Sequence, residues 1–81
     1  METRAEKKAR LMATNSAVYE SVYADLPPDE KAFIITRMQQ LNEVLVDMEL
    51  DDRPMGEMIS VATVVSLQNR DALDAYRATK N

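Results

Sequence analysis

The sequence predicts an all-α protein of one domain, a small three-helix bundle running up, down and up. Proline, glycine and clustered aspartate coincide at only two places, residues 25–30 and 51–56, and the stretches 1–24, 31–50 and 57–81 contain no Gly or Pro. Each of these stretches repeats apolar residues at intervals of three and four, the period of a helix. No pair of runs alternates with the period of two that pairing strands need.

The second segment organises the rest. Ile34, Met38, Leu41, Leu45 and Met48 are spaced 4, 3, 4 and 3 residues apart, one stripe of a helix over 28–50. Phe33 and Val44 widen the stripe on one side, Ile35 and Val46 on the other, so the apolar arc exceeds half the circumference. A surface helix needs a stripe of only about 100°. The excess is expected to be covered from two sides by the flanking helices, or otherwise by a second copy or a partner. Phe33, Ile34, Met38, Leu41, Val44, Leu45 and Met48 are the expected core and oligomer face.

Residues 2–24 are rich in helix formers and predict a first helix over 4–24. Leu11, Asn15, Val18, Val22 and Leu26 recur at helical spacing with Met12, Tyr19 and Tyr23 beside them. They form the apolar face expected to pack on the second helix. Arg4, Lys7 and Lys8 oppose the helix dipole in the first turns, so this start is expected to fray. Pro27 disfavours helix in the residue before it. Pro28 suits the first position of the next helix, and Asp29 and Glu30 suit its dipole. So short a connection makes the two helices antiparallel neighbours.

A third helix is predicted over 55–79, where Met58, Ala62, Val65, Asn69, Ala72 and Tyr76 hold the helical spacing with Ile59 and Leu73 adjacent. Asp51 or Asp52 is expected to cap it, with Pro54 tolerated in its first turn. Arg77 and Lys80 suit its C-terminal end. Two other readings of this segment exist. Asn69 could begin a separate short helix after a break at 66–69, or the β-branched run 59–67 could be a strand, although no second strand is present to pair with it.

Eighty-one residues make one domain, and a chain this small buries only about 60–65% of its unfolded surface. Cys and His are both absent, which excludes disulfides and argues against zinc or other transition-metal sites. Self-association is the remaining reinforcement, so a homodimer is expected. No apolar leader follows Met1 and no run approaches the roughly 18 apolar residues of a membrane span; a soluble, cytoplasmic protein with no membrane partner is expected.

Fourteen acidic residues against ten basic give a net charge of −4, unevenly spread: residues 1–10 carry +2, 11–42 carry −2, 43–57 carry −5 and 58–81 carry +1. Nucleic-acid binders concentrate the opposite sign, so direct DNA or RNA binding is disfavoured. Without His or Cys the commonest general base and the strongest side-chain nucleophile are missing. The single Gly permits no glycine-rich phosphate loop. No spacing sets a lysine (positions 7, 8, 31 and 80) beside a serine on one sheltered face. No enzyme activity, catalytic residue or cofactor is therefore assigned. Glu43, Asp47 and Asp51 recur every fourth residue, and Glu49 and Asp52 form an E-x-x-D pair. A Mg²⁺ site of that kind needs a second acidic pair on a facing helix, which the flanking helices lack, so no metal site is assigned.

The acidic corner remains: Glu43, Asp47, Glu49, Asp51, Asp52 and Glu57, with Met48, Leu50 and Met55 among them. Such a corner is expected to dock on a basic surface of another protein, its charge steering encounter and its methionines adapting to shape. That describes a regulator or inhibitor competing for a basic cleft, in the manner of small phage or mobile-element inhibitors of nucleic-acid-handling machines. Two alternatives come from other classes. A break at 66–69 would create a helix-turn-helix in which Gln68, Asn69, Arg70 and Arg77 reach DNA, aided by Arg4, Lys7, Lys8 and Arg10 but opposed by Asp71 and Asp74. A structural homo-oligomer would bury the surplus apolar arc of the second helix.

Overall fold

The computed structural model describes residues 1–80 and holds three helices, α1 (Arg4–Val22), α2 (Pro28–Leu50) and α3 (Met55–Thr79), with no strand among the described residues. The boundaries follow local chemistry. Pro27 and Pro28 start α2, with Asp29 and Glu30 in its first turn. Its end is a Schellman turn: the Arg53 N–H donates to the Met48 carbonyl at 3.0 Å and the Asp52 N–H to the Glu49 carbonyl at 3.1 Å. Asp52 occupies the left-handed position with φ 55°, where glycine is more usual and aspartate is tolerated.

Three local expectations need correction. Neither Asp51 nor Asp52 caps α3, because both are used in closing α2, and Pro54 stands at the N-cap without a side-chain bond. The start of α1 is held rather than frayed. Thr3 accepts from the Glu6 N–H at 3.1 Å and the Thr3 N–H donates back to the Glu6 carboxylate, a capping box that offsets the adverse basic residues. The first helix also stops two residues short of Ala24, with Tyr23 as its C-cap.

α3 is continuous. Asn69 caps nothing: it is buried mid-helix, accepting from Arg37 Nε at 3.1 Å and donating to Met38 Sδ at 3.4 Å. The broken-helix and strand readings therefore fail, because α2 supplies partners for a polar group at this core position.

α2 lies in the middle. Asn42 and Gln39 face α1, whereas Phe33 and Arg37 face α3, half a turn away on the wheel. No Cα of α1 approaches one of α3 within 8 Å, so the bundle is open, with extents of 51 × 23 × 15 Å. The surplus apolar arc of α2 is explained by this two-sided packing. Ile34, Met38 and Leu41 form the core with Leu73 of α3. Val46 is buried separately. Of the other expected core residues, Phe33, Leu45 and Met48 are only half-buried, and Val44 is 49% exposed. Val44 faces a stretch of α3 too small in side chain to cover it.

α1 is the second surprise. Its polar Asn15 and Ser16, with Met12 and Lys8, meet α2, while Val18 and Val22 of the expected packing face stay exposed. The helix meets the bundle through the Met12, Asn15, Tyr19 and Tyr23 side of that face, the side from which Asn42, fully buried on α2, draws polar partners. Asn15 Nδ2 donates to Asn42 Oδ1 at 2.8 Å, and Asn42 Nδ2 donates to the Met12 carbonyl and to Gln39 Oε1, each at 3.1 Å. No buried side-chain polar atom among the described residues is left without a partner.

Candidate docking cleft

α2 and α3 are locked together at one end and part at the other. At the locked end Phe33 and Tyr76 stack with ring centroids 4.7 Å apart. Glu30, only 7% exposed, bonds Arg77 and accepts from Lys80 Nζ at 2.9 Å; Asp29 accepts from Lys80 at 2.7 Å and from the Tyr76 hydroxyl at 2.9 Å. Hydrogen bonds from Lys80, then Tyr76, hold the Asp29 carboxyl down at about 2. Arg77 and then Lys80 lower that of Glu30. The expected favourable charges at the C-terminus of α3 are thus a clamp onto the N-terminus of α2.

At the other end the seam is made of small residues, Gly56, Ser60 and Val61 on α3 against Val44 and Met48 on α2, and a cleft of about 780 Å³ opens between them. Nothing stands within 4 Å of where a Cβ on Gly56 would lie, so its missing side chain leaves the mouth unobstructed. The apolar floor carries an acidic rim: Asp47 and Asp51 from the α2 side and Glu57 from α3, with Arg53 between. Val44 and Val61 also line a smaller pocket of about 260 Å³ further along the seam.

The structure divides the acidic corner. Asp47, Asp51 and Glu57 line the cleft; Glu43, Glu49, Asp52 and Met55 are exposed outside its lining. Much of the charge is already answered within the chain. Lys8 bridges Glu43 at 3.3 Å and Asp47 at 3.0 Å, Arg4 meets Asp51 at 2.8 Å, and Arg53 meets Glu57 at 2.7 Å. The Lys8 ammonium is raised chiefly by its bond to Asp47, and the Glu57 carboxyl is lowered by Arg53. Antiparallel packing sets the basic N-terminus of α1 beside the acidic C-terminus of α2, a pairing that segment-by-segment charge counting does not show. Arg53, Gly56, Ser60 and Val61 are the lining residues that sequence reasoning did not place in a site, and Val44 was expected in the core or oligomer face rather than in a cleft. For Gly56, Ser60 and Val61 the signal was small size at facing helical positions.

Among the described residues no group of three or more His, Cys, Asp or Glu is arranged to hold a metal ion, and no helix is long and apolar enough to cross a membrane. Comparison with protein families, characterised proteins and solved structures finds no match to this chain.

Proposed function

We propose that the protein is a non-catalytic protein–protein interaction module, a cytoplasmic regulator or inhibitor that receives a basic, apolar-studded segment of a partner protein in the α2–α3 cleft. The observation that carries the reading is the pairing of a solvent-open apolar floor (Val44, Met48, Val61) with the rim carboxylates Asp47, Asp51 and Glu57. An amphipathic helix or an extended segment would lay its apolar side chains on that floor, and its cations would exchange with Lys8, Arg4 and Arg53 for the rim. The absence of His and Cys supports a role without chemistry. The helix-turn-helix alternative needs a turn at 66–69, and α3 runs through it unbroken.

The test is capture of partners by the tagged protein from lysate of its native host, with nuclease, across a salt series. A discrete protein partner is expected, resistant to nuclease and weakened by salt. Val44→Glu, which places a charge on the floor at an exposed position, should abolish capture while the circular dichroism spectrum is unchanged. Asp51→Lys should weaken it. Capture unaffected by both variants, or recovery of nucleic acid that nuclease removes, would refute the reading.

A further inference from the structure

α1 contributes no buried residue to the isolated chain. Met12, Asn15, Ser16, Tyr19 and Tyr23 face the rest of the bundle, while in the stripe along the neighbouring side of the helix Leu11 is half-buried and Val18 and Val22 are 54% and 65% exposed. A helix that leaves two valines of one side in water beside the side that packs has an unfilled partner position. We infer that this position is filled by a second copy of the same chain, with the two α1 helices packed antiparallel about a two-fold axis.

Area supports the inference. A compact 9.2 kDa monomer exposes about 4,900 Å², whereas this chain exposes 5495 Å². Its radius of gyration is 14.2 Å against about 12 Å for a compact domain of this length. Two copies hiding only that surplus would bury about 1,100 Å² in total, at the threshold of a specific interface.

Charge selects the occupant and the direction. The stripe has a basic end at Lys7, and the turn that follows its other end carries the acidic Asp25; neither residue forms an ion pair among the described residues. Antiparallel pairing about the middle of the stripe sets Leu11 against Val22 of the other copy and brings Lys7 toward the turn that holds Asp25, twice by symmetry. Parallel pairing would put Lys7 against Lys7 and Asp25 against Asp25. The stripe is therefore complementary to itself in one direction only. This interface uses none of the residues lining the α2–α3 cleft, so its test stands apart from that of the proposed function.

Light scattering coupled to size exclusion, run from micromolar to millimolar chain, should give twice the 9.2 kDa chain mass. Val18→Glu should return the chain mass with helicity unchanged, since Val18 is exposed in the single chain. Lys7→Glu should shift the equilibrium toward monomer, and Lys7→Glu combined with Asp25→Lys should restore the dimer. Because the chain lacks cysteine, direction is read from introduced thiols: Leu11→Cys and Val22→Cys proteins should cross-link when mixed, and each alone should not. A monomer across the whole range, a dimer indifferent to Val18→Glu, or Leu11→Cys cross-linking to itself would each overturn the inference.

Discussion

The bond between Asn15 and Asn42 offers a sharp test of why α1 sits as it does. Asn42 is 0% exposed and its amide satisfies three groups: Asn15 Nδ2, the Met12 carbonyl and Gln39 Oε1. Asn42→Leu keeps the number and branching of the side-chain heavy atoms and removes all three bonds. Met12, Asn15 and Gln39 are half-buried, so water reaches part of what is lost; the Met12 carbonyl also sits within the α1 backbone ladder. One group effectively stranded corresponds to about 1–3 kcal/mol. In urea, where a domain of this size loses roughly 1 kcal/mol per molar, the midpoint should fall by about 1–3 M. The paired change Asn15→Leu with Asn42→Leu removes both partners and leaves a matched apolar contact, so it should recover most of the loss. Chemical denaturation followed by far-ultraviolet circular dichroism, at one fixed protein concentration because association raises apparent stability, measures both. A wild-type midpoint for Asn42→Leu alone, or a double variant destabilised by the sum of the singles, would show that the amide pair does not set the orientation of α1.

Two further outcomes follow from the core and from the clamp. Leu41→Ala removes a 3% exposed side chain from the centre of the Ile34–Met38–Leu41–Leu73 cluster and should cost about 2–5 kcal/mol, enough to unfold much of so small a domain; a near-neutral effect by the same denaturation assay would displace α2 from its central role. Asp29 carries a folded-state carboxyl held at about 2, below its ordinary 3.8, so its contribution is complete above that ordinary value and is lost as pH falls through the folded one. Asp29→Asn should therefore melt below the wild type at neutral pH and converge with it as pH approaches 2. A gap in melting temperature that persists unchanged in acid would refute the linkage.

Much of the fold was legible because proline and aspartate punctuate this chain at only two places and the intervening segments keep a helical period. Both later helices have the bounds the sequence predicts, and Ile34, Met38 and Leu41 are buried as the stripe of α2 requires. The orientation of α1 was legible only in part. The sequence groups Leu11, Val18 and Val22 with Met12, Tyr19 and Tyr23 in one broad face, and which side of it packs rests on Asn15 meeting Asn42 across 27 residues, a pairing that periodicity does not encode. Val44 was misplaced for a related reason: burial at a stripe position depends on what the facing helix presents, and there α3 offers Gly56, Ser60 and Val61. The capping box of Thr3 and Glu6, by contrast, is a four-residue signal present in the sequence itself.

The internal neutralisation of the acidic corner determines how a partner would use the cleft. Its rim carboxylates already hold Lys8, Arg4 and Arg53, so an incoming cation replaces one exposed ion pair by another. Exposed pairs of this kind are worth about 0–1 kcal/mol, and the exchange leaves little net energy. The apolar floor must then supply affinity, and the surplus negative charge of residues 43–57 must act mainly on encounter. The two functional variants separate these roles. Val44→Glu should act through faster dissociation, because it spoils the contact itself. Asp51→Lys should slow association and flatten its salt dependence, leaving dissociation nearly unchanged, since screening acts over roughly 8–10 Å at ordinary ionic strength. Kinetics of the captured complex across a salt series would reveal the opposite assignment, a dissociation rate governed by Asp51, if the rim rather than the floor held the partner.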